Sequence, residues 1–575
     1  MSNQTQSASA TADAQSPAKH LGRADDALLL GIMAALAGCG LIYEYLLSHY
    51  AGRILGAMEA AIYTMIGLMI VAMGVGAFAA RAIRNPFIGF ALLELAVALL
   101  GAGSVLLCAA AIGLTQTLPQ LLADTFGLPP DLMPNGGLLG ALQKAAQYLP
   151  YVVGTLLGLM IGMEIPLIAR VRQALSDEHL LHNAGTIYGA DYIGAGAGAA
   201  IWVGLMLAMD IQLAAALTAS VNLLAGFAFI FRFRARLKGF GWLLAGHILA
   251  SFALVLLAVK GPPLEQDFNN LLYKDKVIYT EATRFQQLVF TERPRGQAEP
   301  VYALYLNGRL QFSTQDEHIY HGFLVWPPMM AAARQQRILI VGGGDGLAAR
   351  DALRWNPQEV VLMDLDERLV KLFQSPPQTM PRRLAERLLR QNANALNDPR
   401  VRLIFDDAFN GIDRLIAAGE HFDVILVDLP DPNHPDLSKL YSDLFYRKLK
   451  EVLSHDGAIA IQSTSPWHAT RAFLSIGKTL ESAGFKVARY HQNVPSFGEW
   501  GWTLGTLNGS PEQRILDGTA PTHPWVNKEM IGAAFAFPPG FLLREQEVDI
   551  NHFGTQVIYQ YHLEAWKEES GINLF

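Results

Sequence analysis

The carboxylates of this sequence that could do chemistry fall at the ends of apolar runs. Val424–Val427 is followed by Asp428 and, three residues on, by Asp431 in a proline-stiffened segment. An alkyl ammonium has a pKa of about 10.4, so it must lose a proton before its nitrogen attacks carbon. One carboxylate can take that proton while another anion holds the amine. Asp428 and Asp431 could supply both functions, and the alternative is a solvated turn.

A glycine-rich segment, Gly342-Gly-Gly-Asp-Gly346, follows the first apolar run of the same region. Gly342, Gly344 and Gly346 would let backbone N–H groups approach a ligand, and Asp364, about 20 residues later, is placed to bind ribose hydroxyls. Asp345 inside the loop would repel a pyrophosphate and favour a cation. We therefore expect a sulfonium nucleoside, S-adenosylmethionine or its decarboxylated form, rather than a dinucleotide.

The elements that must position these residues alternate between short apolar runs and helix-like stretches. This alternation predicts a doubly wound parallel α/β sheet of the Rossmann-like kind, with ligands at the carboxyl ends of its strands. Asp407, after the third run, could contact adenine. The five runs are Ile338–Val341, Val360–Met363, Val401–Phe405, Val424–Val427 and Ala458–Gln462.

The first half of the chain is much more apolar than the second. Residues 1–260 hold 13 basic and 13 acidic residues, whereas the remainder holds 31 and 38, so the net charge of −7 belongs to the second part. Stretches of about 20 apolar residues can cross a bilayer. We predict seven spans, at residues 27–48, 57–80, 87–114, 149–169, 185–208, 211–231 and 241–259.

Several carboxylates lie within these predicted spans, among them Glu44, Glu164 and Asp191. Intramembrane acids usually face a cavity or a partner, so a cation path is one interpretation and simple hydrogen bonding is the other. Basic residues in the loops place the N-terminus in the cytoplasm. Seven crossings would then export the C-terminal half, although its nucleoside is made in the cytoplasm. We favour a cytoplasmic location, which requires one predicted span not to cross.

Other function classes find little support in the sequence. Cys39 and Cys108 both lie in apolar runs, which argues against a disulfide framework and a cysteine metal site, and we predict no metal. An acidic C-terminal half argues against nucleic-acid binding.

The expected domains are a disordered tail (1–24), a transmembrane helical domain (25–260), a small β module (261–330), the α/β domain (331–520) and a C-terminal extension (521–575). An Asn307-Gly308 pair predicts a hairpin in the β module.

An ordered set of motifs resembles the spermidine synthase (polyamine aminopropyltransferase) family, and the apolar N-terminal half resembles its bacterial membrane-fused branch. The resemblance covers about residues 275–510. Its motifs are Leu304–Gly308, Gln311, Asp316-Glu317, Tyr320-His321, Gly342–Gly346, Asp364 and Asp366, Asp407-Ala408, Asp428 and Asp431-Pro432, Leu440-Tyr441 and Phe445-Tyr446.

The resemblance implies a role for each matched residue. Asp428 is then the base, with Tyr320 lining the amine channel, and Asp431 binds the amine. Asp345 holds the aminopropyl ammonium, and Asp364 stands where the family usually has a ribose-binding Glu. The remaining substrate contacts, on the nucleoside side and in the Tyr-His motif, are Gln287, Gln311, His321, Asp407 and Ala408.

The implied reaction is aminopropyl transfer from decarboxylated S-adenosylmethionine, as co-substrate with no tightly bound cofactor, to an amine such as putrescine. Gly322, Leu347 and Phe497 depart from the family pattern, which leaves the acceptor open. The alternatives are methyl transfer or acceptor-free cleavage of the nucleoside, and a polyamine transporter or sensor. We expect a multi-pass protein of the bacterial inner membrane, in contact with the lipid bilayer, that forms a homo-oligomer as soluble relatives generally do.

Overall fold

The computed structural model describes residues 22–55, 58–126, 137–175 and 183–570. The chain divides into two compact units, residues 1–274 and 275–575. Most of the predicted disordered tail, residues 1–21, lies outside the described residues, and Arg23 already begins the first helix.

The N-terminal unit is helical throughout its described residues. Helix α1 packs against α7 and α2, and α3 packs against α8 and α9, which gives a bundle with a continuous apolar core. The helices are α1 (Arg23–Leu55), α2 (Met58–Ala79), α3 (Pro86–Phe126), α4 (Gly137–Gln147), α5 (Leu149–Ile161), α6 (Glu164–Leu175), α7 (Asn183–Gly204), α8 (Ile211–Arg232) and α9 (Phe240–Asn270).

Six helical stretches among the described residues are long and apolar enough to cross a bilayer, where seven were predicted. The predicted span at 185–208 forms α7, but Asp191 and a high content of Gly and Ala leave this helix less apolar than the others. The six stretches are Arg23–Gly52, Ala61–Ala82, Pro86–Ala123, Leu149–Leu175, Ile211–Arg232 and Phe240–Asn270.

The end of the helical unit lies further along the chain than predicted. The transmembrane domain was predicted to end at residue 260, whereas helix α9 continues through Pro262 and Pro263 to Asn270. Four antiparallel strands in the order β1-β2-β3-β4 follow it. They are β1 (Lys276–Ala282), β2 (Gln287–Arg295), β3 (Ala298–Leu306) and β4 (Arg309–Ser313).

The predicted hairpin is confirmed at the turn between β3 and β4. Leu306 pairs with Arg309, and the two residues between them, Asn307 and Gly308, have φ angles of 50° and 79°. Positive φ at both central residues is the requirement of the tight turn that matches the twist of the strands. Helix α10 (Glu317–Ala331) then leads from the four-stranded sheet into the larger one.

The larger sheet confirms the predicted doubly wound α/β architecture. Its order is β10-β11-β9-β8-β5-β6-β7; β5 to β9 run parallel, and β11 and then β10 join antiparallel beyond β9. The strands are β5 (Arg337–Gly342), β6 (Glu359–Asp364), β7 (Val401–Phe405), β8 (Phe422–Asp428), β9 (Leu453–Gln462), β10 (Lys486–Val494) and β11 (Gly498–Thr506).

Helices cover both faces of this sheet, and the central strands β5 and β8 are buried runs of Val, Ile and Leu, as parallel strands require. The last helix, α20, packs against α17 and α15, with Ile558 and Tyr561 buried. The helices are α11 (Leu347–Leu353), α12 (Glu367–Gln374), α13 (Arg382–Gln391), α14 (Ala408–Ala417), α15 (Pro435–Ser438), α16 (Asp443–Val452), α17 (Thr470–Ser482), α18 (Pro511–Asp517), α19 (Lys528–Ala534) and α20 (Val557–Ser570).

Candidate active site

The candidate site lies where the strand order reverses. Strand β5 is the first of the parallel strands in the chain, and it lies between β6 on one side and β8 on the other. Crossover connections therefore leave β5 and its neighbours in opposite directions, which opens a crevice at their carboxyl ends. Gly342 and Asp428 end β5 and β8 in register at this crevice.

The glycine loop brings its backbone against the acids of the neighbouring strands. Gly342 has a φ of 82°, and a side chain there would collide with the carbonyl oxygen of Asp428. At Gly344 a Cβ would stand 2.7 Å from Oδ2 of Asp364. Gly346, with a φ of 76°, precedes the first residue of α11. The loop therefore needs glycine for its close approach to the neighbouring strands, and its predicted contact with a ligand stays a prediction.

Asp428 is buried and held by two side chains from α10. The hydroxyl of Tyr320 donates a hydrogen bond to Oδ1 of Asp428 at 2.8 Å. Nε2 of His321 lies 3.9 Å from Oδ2 of the same carboxylate. Burial raises the pKa of Asp428 above its ordinary value, and the nearby His321 charge and the Tyr320 hydrogen bond partly offset that rise. Burial also raises the pKa of Tyr320 well above 10, so its hydroxyl keeps its proton.

A buried network behind His321 keeps this imidazole charged. Nδ1 of His321 lies 3.0 Å from Oε2 of Glu317, and Glu317 also accepts hydrogen bonds from Arg350 at 2.8 and 3.1 Å. Burial alone would lower the pKa of His321, but its bond to Glu317 and the carboxylates of Asp345 and Asp428 raise it to about 9. Burial would raise the pKa of Glu317, yet His321 and Arg350 hold it well below its usual range. The site therefore contains an imidazolium at neutral pH.

Two further acids belong to this crevice: Asp345 lies within the glycine loop, and Asp364 lies against it. Burial raises the pKa of Asp345 to about 6, against the lowering effect of the His321 charge, and its Oδ1 accepts the Leu347 N–H at 2.9 Å. Burial also raises the pKa of Asp364 to about 6, although the N–H of Asp366 donates to it at 2.8 Å. Both carboxylates are mainly ionised at pH 7, and so the crevice attracts cations.

Asp431 is held by residues from three other segments. Nε2 of Gln462, the last residue of β9, donates to Oδ1 of Asp431 at 3.0 Å. Nε2 of His562 on α20 lies 3.4 Å from Oδ2. Burial would raise the pKa of Asp431, but His562, Gln462 and the positive charge of Arg309 together lower it. Asp431 is therefore an anion whose charge is partly matched within the protein.

Asp407, the predicted adenine contact, already bonds to two groups of the protein. Asp407 accepts the N–H of Asn410 at 3.2 Å as the N-cap of α14, and its Oδ2 binds Nζ of Lys439 at 2.8 Å. Both carboxylate oxygens are thus engaged in structural contacts. Ala408, the first residue of α14, is buried next to this cap.

The two predicted glutamines lie in the four-stranded sheet. Gln287 begins β2, and the loop before it is tied to the end of β6 because Thr283 and Gln286 donate to Oδ2 of Asp366 at 2.7 and 2.9 Å. Gln311 is the extra residue of a bulge in β4, between the pairs Tyr305–Leu310 and Leu304–Phe312. A bulge re-aims a side chain, which is why bulges often border active sites.

Comparison with known proteins identifies the family. The spermine/spermidine synthase domain model matches residues 317–515. A polyamine aminopropyltransferase of Shewanella oneidensis is 63% identical over 569 residues, which are 98% of this chain and 99% of that protein. Polyamine aminopropyltransferase 1 of Streptomyces coelicolor is 33% identical over 565 residues, 96% of this chain and 97% of that protein. The chain belongs to the polyamine aminopropyltransferase family.

Membership of this family makes the chain an enzyme that transfers aminopropyl groups. The similarity to both relatives includes the apolar N-terminal half, because nearly the whole of each chain is matched. Among solved structures, spermidine synthase from Thermotoga maritima is similar at a TM-score of 0.40 and 21% identity, covering 47% of this chain and 87% of that one.

Several residues that shape this aminopropyltransferase site were given no role at the sequence level. Glu317 could have been found, since it precedes His321 by four residues and so shares its helix face. Gln462 ends an apolar run, as the predicted acids do. Arg309, Lys439 and His562 carry no comparable signal, because they reach the site only through the tertiary fold.

The structure shows the surroundings of two residues that depart from the family pattern, Phe497 and Gly322. Phe497 lies beside the site, with its ring 6.1 Å from that of Tyr320, and Trp502 lies 5.5 Å from the same ring. At Gly322 a Cβ would meet Val526 and His523, so the C-terminal segment fills the space that a longer side chain would need. Among the described residues, no three His, Cys, Asp or Glu side chains lie together in a way that could hold a metal ion.

Proposed function

We propose that this enzyme transfers the aminopropyl group of decarboxylated S-adenosylmethionine to a small diamine such as putrescine, giving spermidine and 5′-methylthioadenosine. The observation that carries the proposal is the surroundings of Asp428. A buried carboxylate of raised pKa, hydrogen-bonded to Tyr320, ends the central strand pair beside two further anions, Asp345 and Asp431. Such a group can accept a proton from an amine that a second carboxylate holds.

In this proposal, residues at the end of β6 and in the glycine loop bind the nucleoside that donates the aminopropyl group. Asp364 at the end of β6 is the ribose-binding acid of our proposal, and it lies against the glycine loop, where the N–H groups of Gly343 and Gly346 bond to the carbonyl oxygens of Asp428 and Gly343. Asp345 would hold the aminopropyl ammonium, while Gln287, Gln311, Asp407 and Ala408 would line the nucleoside. The imidazolium of His321 limits the negative charge of the crevice and opposes the rise that burial imposes on the pKa of Asp428.

The chemical step is a displacement at carbon. The amine nitrogen forms a bond to the methylene attached to sulfur, the C–S bond breaks, and the electron pair neutralises the sulfonium. Asp428 takes one proton from the bound primary ammonium before the attack, and the product nitrogen leaves as a secondary ammonium. Because the leaving group is already activated by its charge, alignment and proton acceptance are what the protein must contribute.

The experiment is product analysis with the full-length protein purified in detergent. Supplied with decarboxylated S-adenosylmethionine and putrescine, the enzyme should give spermidine and 5′-methylthioadenosine in equal amounts by mass spectrometry. Release of 5′-methylthioadenosine without an aminopropylated amine would contradict the proposal, and so would conversion of intact S-adenosylmethionine to S-adenosylhomocysteine. Cadaverine and spermidine as alternative acceptors define the amine specificity.

We also propose that the helical unit spans the bacterial inner membrane with the catalytic unit in the cytoplasm, where the nucleoside is made. Six crossings from a cytoplasmic N-terminus return the chain to the same side. The basic segment 232–238, which these crossings would place outside, opposes this topology. Reporter fusions after residue 238 and at the C-terminus test it, since only a cytoplasmic C-terminus agrees with the proposal.

A further inference from the structure

The helical unit contains buried polar groups that the proposed reaction does not use. Glu94 on α3, Glu164 at the start of α6 and His247 on α9 are each at most 1% exposed. Within the residues that the structure describes, four of their atoms have no hydrogen-bond partner: Oε1 of Glu94, both carboxylate oxygens of Glu164 and Nε2 of His247. We refer to Glu94, Glu164 and His247 as the acceptor cluster.

The acceptor cluster faces one region of the bundle although its members come from three helices. Glu164 lies within electrostatic reach of Glu94 and of Asp191 on α7. A Cβ on Gly226 of α8 would stand 2.6 Å from Nε2 of His247 and 3.5 Å from Cβ of Glu94. Glu94 and His247 therefore both adjoin Gly226, and Glu164 lies within electrostatic reach of Glu94.

A short chain of hydrogen bonds orients Glu94 in this region. Asn222 on α8 donates to Oε2 of Glu94 at 3.2 Å, and the hydroxyl of Tyr43 on α1 donates to Oδ1 of Asn222 at 3.3 Å. These bonds use one carboxylate oxygen and leave Oε1 of Glu94 unmatched. The position of the unmatched oxygen is thus fixed by its neighbours.

All four unmatched atoms are hydrogen-bond acceptors. Nδ1 of His247 lies 2.9 Å from the carbonyl oxygen of Leu243, which can only accept, so Nδ1 carries the proton. In a neutral imidazole the other nitrogen, Nε2, then carries a lone pair. Ionised carboxylate oxygens also only accept. A buried carboxylate without a partner costs several kcal/mol, and so the cluster calls for a cation that donates hydrogen bonds.

A metal ion does not match these observations. Among the described residues, no three His, Cys, Asp or Glu side chains converge on one point as metal ligands must, whereas an elongated amine can reach acceptors that lie apart. An alkyl ammonium carries one positive charge with three N–H donors, and its hydrocarbon chain suits an apolar bundle. We propose that Glu94, Glu164 and His247 form an intramembrane binding site for an alkyl ammonium cation. Taking a diamine as the probe rests on the proposed function.

The first experiment measures binding to the full chain in lipid nanodiscs. The catalytic unit carries Asp428→Asn and Asp431→Asn in every sample, which weakens amine binding there. Equilibrium dialysis with radiolabelled putrescine should then show about one saturable site per chain. Glu164→Gln should abolish it, whereas Glu44→Gln, an acid of α1 outside the cluster, should leave it unchanged. Saturable binding that survives Glu164→Gln, or no saturable binding at all, would overturn the proposal.

A second experiment uses the wild-type protein and so does not depend on how a variant folds. Dicyclohexylcarbodiimide adds to a buried protonated carboxyl group, and peptide mass spectrometry locates the adduct. Putrescine should lower labelling of Glu94 and Glu164 at least fivefold relative to sodium chloride of equal ionic strength. Equal labelling in both would mean that the cluster holds protons only, and would overturn the proposal. Aminopropyl transfer by Glu164→Gln, assayed in parallel, reports on the proposed function separately.

Discussion

The two units of this chain differ in how completely their most deeply buried acids are paired. In the catalytic unit, Glu317, Asp428 and Asp431 each have a donor or a cation in contact. In the helical unit, Glu164 is as deeply buried as Glu317, yet neither of its carboxylate oxygens has a partner among the described residues. A matched acid is ready to act on a substrate that arrives beside it, whereas an unmatched acid lacks a ligand.

Because of this difference, substitution of a buried acid should have different effects in the two units. Removing a matched acid should damage catalysis or stability, because its partners are left with unpaired polar groups. Removing an unmatched acid should spare both and affect only what that acid binds. We expect the largest of these effects at Asp428.

Asp428→Asn should lower kcat by about 100- to 10,000-fold, the usual contribution of a general base. An amide of the same shape keeps the contact with Tyr320 but cannot take a proton from the amine. Release of 5′-methylthioadenosine measures the rate, and binding of the nucleoside should change little. The matched control is Asp436→Asn, an exposed acid eight residues later; equal loss in both variants would refute the base assignment.

Asp431→Asn should raise KM for the amine by about 10- to 100-fold, because hydrogen bonds between charged groups contribute about 1.5–3 kcal/mol. KM for the nucleoside should stay within about twofold, since Asp431 lies on the acceptor side. Steady-state kinetics with each substrate varied in turn measures the two constants. A rise confined to the nucleoside would contradict the assigned role.

Glu317→Gln and Glu164→Gln should have opposite effects on stability. The first leaves His321 and Arg350 with reduced pairing, so we expect a loss of about 1–3 kcal/mol in the catalytic unit. The second removes an unmatched buried charge, so the helical unit should be no less stable without amine. Thermal unfolding of both variants in the same detergent compares them. A similar loss in both would break the contrast between the units.

His321→Gln should move the acidic limb of the kcat profile upward by about one pH unit. Burial raises the pKa of Asp428, and the His321 charge holds it down. Without that charge the carboxylate needs a higher pH to ionise. Because the folded-state pKa of His321 is raised to about 9, its contribution to stability is complete below about pH 6.5 and is lost as the pH rises through 9. An unchanged acidic limb would rule out this coupling.

Arg309→Gln should lower KM for the amine by about two- to fivefold, the range expected for a partly exposed charge. The guanidinium and the incoming ammonium both interact with Asp431, so removing one favours the other. The same kinetic assay measures this, with Arg334→Gln, an exposed arginine paired with Asp456, as the control. A rise in KM would show that Arg309 assists amine binding instead.

Much of the α/β unit could be predicted from the sequence because its signals are local. Five apolar runs became β5 to β9, and Asn307-Gly308 became the tight hairpin turn. The glycines and acids at strand ends were found because parallel strands gather such residues at one edge. The assigned roles of these residues, like the homo-oligomer, stay predictions.

The remainder depends on contacts that no local pattern records. His562 follows Asp431 by 131 residues, and only the docking of α20 brings the two together. The prediction of seven spans included α7. Its small and polar residues leave it outside the six stretches that are long and apolar enough to cross a bilayer. The predicted boundary of the transmembrane domain at residue 260 falls inside α9, because this helix continues through Pro262 and Pro263 to Asn270.

The most direct test of the account is a structure of the full chain with a bisubstrate analogue that joins the adenosine moiety to a diamine. We expect the amine nitrogen to lie within hydrogen-bond distance of both Asp428 and Asp431, with the ribose against Asp364. An analogue bound elsewhere, or a crevice filled by side chains with these carboxylates turned away, would contradict it.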